Sequence, residues 1–351
     1  LLGTIEYMYG NRRIRAPMTT PDAPEVAGYF ADMVQMNIDC CLMEVSSHAL
    51  DQWRVHGIRF AVGAFTNLTP EHLDYHGDMV SYRKAKGRLF EVLEPDSWAV
   101  LNADDVASRS FAESTRAHVL WYGLDGPADV TARELEIDLR GSRFRLVTPR
   151  GEVDVASSLV GRHNVYNCLT AAAIAEALGV DLAAMAEGLS AVQTIDGRLE
   201  PVDAGQPFAV LVDYAHTDDA LENALTTVKP LVKGRLILVF GCGGDRDRLK
   251  RPRMGRVVER FADVIFVTND NPRSEEPGAI AQEIIGGFED ASRATVILDR
   301  RDAITAALSE AKRGDLVLIA GKGHEAYQEM GGVTREFDDR VVTREILKGV
   351  S

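Results

Sequence analysis

The chain has 351 residues, 46% of them hydrophobic, with a formal net charge of −14 and four cysteines. That length exceeds one ordinary core and fits two domains. No apolar run approaches the ~18 residues a membrane helix needs, and so acidic a chain is a poor partner for nucleic acid. Anionic ligands must then be held by local devices such as helix N-termini, bound metal and clustered arginines. The opening LLGTIEYMYG is neither a signal peptide nor a plausible natural start, and reads as the middle of a domain. Thr20-Pro21-Asp22 caps a helix running to about Asn37, with proline favoured in its first turn. Buried strands are predicted at Ile38 to Val45, Phe60 to Phe65, Trp98 to Asn102 and His118 to Tyr122. Between Val130 and Ser157 the pattern alternates with period two around Arg140-Gly141-Ser142 and Pro149-Arg150-Gly151, an antiparallel meander. An alanine-rich helix, Asn164 to Leu178, is stopped by Gly179. A junction falls near Thr194 to Leu199. Beyond it, strands at Phe208 to Val212, Arg235 to Phe240, Val264 to Thr268, Thr295 to Leu298 and Leu316 to Ala320 alternate with helices. That is a Rossmann-like sheet, whose ligands sit at the carboxyl ends of the strands. Cys40, Cys41, Cys168 and Cys242 form no CxxC pair and read as buried free thiols of a reducing cytosol.

The segment from Thr66 to Phe90, TNLTPEHLDYHGDMVSYRKAKGRLF, packs His72, Asp74, His76, Asp78 and Lys86 into a turn and helix after a strand. Imidazoles and carboxylates clustered there suit a divalent metal beside phosphate. Glu44, in MEVSSHAL, ends the preceding strand and is placed to join them. The plain alternatives are a helix-capping acid, a turn histidine and a solvated lysine. Asn164 and Asn167 in GRHNVYN, Arg198 in DGRLE, and Asp213 and His216 in DYAHT stand at helix starts and strand ends; each alone is weak. GCGGDRDRLKRPR, Gly241 to Arg253, is a glycine-rich loop that exposes backbone N–H groups and opens a helix. DNPR, Asp270 to Arg273, ends the next strand, so Arg246 and Arg273 can converge on one crevice. Arginine presents a planar fork to carboxylates, and two at one strand-end cleft imply a ligand with more than one carboxylate. A solvated basic edge is the alternative.

In their order these motifs resemble the Mur ligases, ATP-dependent peptide-bond-forming enzymes of bacterial cell-wall precursor synthesis. The resemblance covers nearly all of the chain, from Thr19 to Glu325. It implies an incomplete central ATPase-type α/β domain with the meander, residues 1–196, followed by a Rossmann-like C-terminal amino-acid-binding domain, residues 197–351. Glu44, His72 and Lys86 then match metal ligands, with Lys86 carbamylated by CO2 (N6-carboxylysine), since an ammonium would repel Mg2+ whereas a carbamate can coordinate it. Asn164, Asn167, Arg198, Asp213 and His216 match positions for ATP. Thr19, Thr20, Ser46, Gln52 and Arg54 match positions that hold a UDP-muramoyl-dipeptide, although Met18 stands where asparagine often precedes the two threonines. DNPR resembles the mark of the branch that adds meso-diaminopimelate rather than L-lysine, with Arg246, Asp270, Asn271, Pro272, Arg273 and, in GKGHE, Gly321 and Glu325 holding the amino acid. The implied reaction phosphorylates the free carboxylate of the D-glutamate unit, and the amine of diaminopimelate attacks the acyl phosphate. The implied setting is a cytoplasmic monomer that uses ATP, Mg2+ and small-molecule substrates, with no nucleic acid and no membrane. The family's GTNGKT-like phosphate loop and the small domain before it have no counterpart in this sequence, so a truncated and inactive polypeptide is expected. A lysine-adding ligase, a folylpolyglutamate synthase and a non-catalytic binding module are the rivals; DNPR with GKGHE argues against the first two.

Overall fold

The computed structural model describes residues 1–69, 71–195 and 197–349; the domain limits expected at 196 and 351 fall on residues outside this set. The chain divides into two compact units, one of residues 1–133, 146–153 and 166–185, the other of residues 134–145, 154–165 and 186–351. This division differs from a single cut at 196/197, because parts of the meander and of the following helix group with the second unit. The meander itself is as expected, with strands Thr131–Asp138, Gly141–Thr148 and Gly151–Ser157 side by side in chain order. The helix Arg162–Ala177 follows it. Its end is marked by Gly179, whose left-handed φ of 76° lets Val180 N reach back 2.9 Å to Ala175 O.

In the first unit, strands Val62–Phe65, Trp98–Asn102 and His118–Tyr122 pair in parallel. The helices Met79–Glu91 and Ala107–Ser114 run between them in sequence and supply Phe90 and Phe111 to a core with Phe65, Leu93, Ala99 and Leu101. Helix Ala23–Gln35 starts at Asp22, whose N–H donates to Glu25 in its first turn. The strand expected from Ile38 to Val45 is a correction. Among the described residues only Met43 makes a bridge, parallel to Leu2, with Leu2 N on Leu42 O and Glu44 N on Leu2 O, both at 2.8 Å. With one residue as its pairing partner the segment cannot ladder, and Cys40 and Leu42 are exposed. Cys40 therefore departs from the buried-thiol expectation; Cys168 and Cys242 are buried, and all four cysteines are free.

The second unit holds a six-stranded sheet in the order Ala294–Val296, Val264–Val267, Leu236–Phe240, Leu316–Ala320, Ala209–Asp213, Glu200–Pro201. All neighbours are parallel except the last pair. Continuous apolar runs such as Leu236–Phe240 and Leu316–Ala320 are wholly buried, the signature of strands covered on both faces. Pro201 sits on the edge strand, where a missing N–H is tolerated. The strand Leu316–Ala320 is inserted between the first two parallel strands of the unit, a change of direction that opens a crevice at the carboxyl ends. A cavity of about 860 Å3 lies at the opposite ends of these strands, beside Phe208, Lys233, Arg313 and Asp315; none of the motif residues lines it.

Candidate functional site

In the first unit, Thr19, Thr20, Glu44, Ser46, Gln52 and Arg54 form one hydrogen-bonded group. Thr20 Oγ1 donates to Glu44 O at 2.8 Å and accepts from Ser46 N at 3.0 Å. Ser46 in turn caps the short helix Ser47–Asp51 by accepting from Ala49 N. Arg54 donates to Thr20 O, to Gln52 Oε1 and to Met18 Sδ and pairs with Asp22 at 3.2 Å. Met18, the departure from the family pattern, thus meets the guanidinium through sulfur. Glu44 accepts from Thr4 N at 3.1 Å and Thr4 Oγ1 at 2.6 Å, and Thr4 Oγ1 lies 3.1 Å from Thr19 Oγ1.

Lys86 projects from the helix Met79–Glu91 with its Nζ 5.2 Å from the Tyr82 ring centroid. The His72 ring lies 6.1 Å from the same ring. Burial lowers the Lys86 amine below the usual lysine range, opposed by the negative charges of Glu71, Asp105 and Glu44. The other members of the cluster have local work: Asp78 caps the helix by accepting from Ser81 N at 2.7 Å, and His76 Nε2 lies 2.9 Å from Ser47 Oγ. Among the described residues no group of three or more His, Cys, Asp and Glu is gathered as a metal site. His72 takes a left-handed φ of 57° and stacks edge-on with His48 at 5.0 Å. Sequence reasoning missed His48, which MEVSSHAL displays two residues after Ser46; burial and the neighbouring His72 push its imidazole down.

In the second unit, Asp213 ends its strand buried, with Oδ2 accepting from Leu199 N and Oδ1 from Ala215 N, each at 2.8 Å. Burial raises its carboxyl above the usual range against those bonds. Arg198 is exposed, its guanidinium 5.8 Å from the Tyr214 ring. His216 Nδ1 lies 2.8 Å from Tyr214 O. Asn164, buried, donates to Val160 O, while Asn167, three residues on along the helix Arg162–Ala177 and grouped with the first unit, is exposed.

The glycine-rich loop and DNPR are zipped together. Gly244 N donates to Asn271 O at 2.8 Å, and Arg273 Nη1 donates to Gly244 O at 2.7 Å. An added Cβ on Gly244 would fall 1.9 Å from Pro272 O, so only glycine fits there. Arg273 also pairs with Glu329 at 3.4 Å. GKGHE closes on the same strand ends: Asn271 Nδ2 donates to Glu325 Oε2 at 2.9 Å, and a Cβ on Gly321 would meet Asp270 Oδ2 at 2.6 Å. In GCGGDRDRLKRPR, Arg248, Arg251 and Arg253 are engaged by carboxylates, and Lys250 donates to His216 O. Arg246, exposed two residues past Gly244, makes no ion pair among the described residues. Lys322 and Arg300, which sequence reasoning passed over, are fully buried beneath these loops.

Glycine loops and arginines gathered at a switch-point crevice mark an α/β unit that binds a ligand at its strand ends. The chain belongs to the Mur ligase family: residues 1–175 match the Mur ligase middle domain and residues 197–323 the Mur ligase glutamate ligase domain. It is 47% identical over 353 residues to the UDP-N-acetylmuramoyl-L-alanyl-D-glutamate–2,6-diaminopimelate ligase of Bacillus licheniformis, covering 99% of this chain and 72% of that one. It is 46% identical to the enzyme of the same name from Geobacillus kaustophilus, covering 99% and 73%. A solved structure of a ligase of that name superposes with a TM-score of 0.73 at 36% identity, over 98% of this chain and 72% of the other.

Proposed function

We propose that the chain carries the chemistry of ATP-dependent addition of meso-diaminopimelate to UDP-N-acetylmuramoyl-L-alanyl-D-glutamate, in the making of peptidoglycan precursors. The observation that carries this reading is the cluster at the strand ends of the second unit, where Asp270, Asn271, Arg273, Gly321 and Glu325 share one network. Carboxylates there suit the ammonium of an amino-acid end, and Arg273 with Arg246 suits its carboxylate. L-lysine has no carboxylate at that end and leaves the guanidinium without its partner. Asn164, Asn167, Arg198, Asp213 and His216 would hold ATP. Thr19, Thr20, Ser46, Gln52 and Arg54 would hold the dipeptide precursor, whose carboxylate is phosphorylated and then attacked by the diaminopimelate amine.

Glu44, His72 and carbamylated Lys86 would hold Mg2+. The surroundings of Lys86 support that modification: burial lowers the basicity of this half-buried amine, which favours the unprotonated form, the one that captures CO2. When bound, the metal supplies positive charge for the phosphoryl oxygens. The family relationship supports a protein that works in the cytoplasm on small molecules, and no helix among the described residues is long and apolar enough to cross a membrane.

Calorimetry tests the substrate assignment directly. The chain should bind meso-diaminopimelate, and Arg273→Ala should weaken that binding by about 2–5 kcal/mol while changing the weaker binding of L-lysine little. Equal losses for both amino acids would remove Arg273 as the discriminating group, and no binding to the unmodified chain would sink the substrate assignment.

A further inference from the structure

Lys322 lies fully buried within GKGHE, with its Nζ 3.2 Å from Asn271 Oδ1 and 3.4 Å from Glu325 Oε2. A buried lysine is rare unless paired, and this one touches two members of the amino-acid cluster at once. Asn271 Oδ1 accepts from Lys322 and, at 3.0 Å, from Glu329 N. That fixes the amide so that Nδ2 points at Glu325. Without the ammonium, Glu329 N alone would hold that oxygen, and Glu325 would lose its charged partner. Burial lowers the Lys322 amine below the usual lysine range, and the charges that act on it are Asp270, Arg300, Glu325 and Asp339; the ring of Tyr327 is 5.4 Å from its Nζ. Arg300 and Asp339 neutralise each other. Two carboxylates therefore share one lysine, and one negative charge is left over.

Resting on the diaminopimelate reading, we propose that Lys322 is a positioning residue for the ligand's ammonium. It holds Asn271 and Glu325 in the orientation that receives an amino group, and it cancels one of two carboxylates so that a single ligand cation completes the balance. An amino-acid end fits this arrangement; a bare carboxylate end does not use it.

The test compares meso-diaminopimelate with pimelate, which has the same chain and both carboxylates but no amines. Competition calorimetry on the full chain should show that Lys322→Met narrows the preference for diaminopimelate over pimelate by roughly tenfold or more, the scale of one charge-assisted hydrogen bond, with pimelate binding little changed. Lys322→Gln, which keeps a donor but no charge, should fall between the two. A preference unchanged in Lys322→Met overturns the proposal, as does a parallel loss of both ligands. If Lys322→Met does not fold, Lys322→Gln decides: a preference equal to that of the unmodified chain overturns it. Failure of the unmodified chain to bind diaminopimelate at all would instead strike the function proposed above.

Discussion

Replacing Arg300 by methionine probes how the recognition loops are held. Its side chain is fully buried, as is that of Asp339, and the two meet in a fork: Nε to Oδ1 and Nη2 to Oδ2, both at 2.7 Å. The same guanidinium donates to Asn269 O at 3.2 Å and Ala320 O at 3.1 Å. Those carbonyls immediately precede Asp270 and Gly321, so one side chain ties the starts of DNPR and GKGHE together. Removing one partner of a buried ion pair leaves the other charge unpaired, at a cost of about 3–5 kcal/mol. Two carbonyls that lose a donor push the figure toward the upper end. For a unit of this size that is a fall in Tm of roughly 6–20 °C. Removing both charges with Arg300→Met and Asp339→Leu should restore much of the loss, since an apolar pair carries no uncompensated charge. Urea unfolding followed by circular dichroism gives all four corners of the cycle. A cost below about 1 kcal/mol for Arg300→Met, at an unchanged m-value, would refute the view that this pair anchors the loops.

Two further predictions concern Lys86 and the Arg251–Glu275 pair. Incubation with 13C-bicarbonate should give a protein-bound carbamate carbon signal in the unmodified chain that Lys86→Ala lacks; the same signal in both would exclude Lys86 as its carrier. Arg251, fully buried, pairs with Glu275 at 2.8 Å and holds its carboxyl down to about 2, helped by the bond from Asp245 N. A depressed folded value means stability that is present above the unfolded value of about 4.5 and lost as pH falls toward about 2. Urea midpoints should therefore drop more steeply over that window in the unmodified chain than in Glu275→Gln, by at most about 2–3 kcal/mol, and parallel slopes would show that the pair does not act this way.

Much of this was legible in the sequence because its signals are local. Continuous apolar runs name the buried strands, Gly179 ends its helix, and the period-two stretch from Val130 is a meander. The motifs fall at strand ends, where an α/β sheet holds ligands. What was not legible depends on partners far away in sequence. Ile38 to Val45 reads as a strand, but strand formation needs a neighbour with a matching ladder, and Leu2 alone faces it. Asp78 reads as part of a metal cluster until its bond to Ser81 N makes it a cap. Lys322 stands unremarked inside GKGHE; its meaning comes from Asn271, 51 residues earlier in the chain.

The arginines make the same point in terms of charge. GCGGDRDRLKRPR offers five cations, and composition cannot rank them in a chain of net charge −14. Burial can. Arg251 is spent on Glu275 and Glu283, and Arg253 reaches Asp218 at 3.0 Å. Deep in the unit, Arg300 answers Asp339 and Lys322 answers Glu325. Cations taken from water must bring their own anions, because an unpaired buried charge is too costly to keep. The guanidinium groups left to meet an outside carboxylate are those near solvent with weak or no acidic company among the described residues: Arg246, and Arg273, whose link to Glu329 is long and whose shorter bond is to a backbone carbonyl. A dicarboxylic ligand has only to compete with Glu329 for Arg273, whereas reaching Arg251 or Arg300 would require breaking a buried pair.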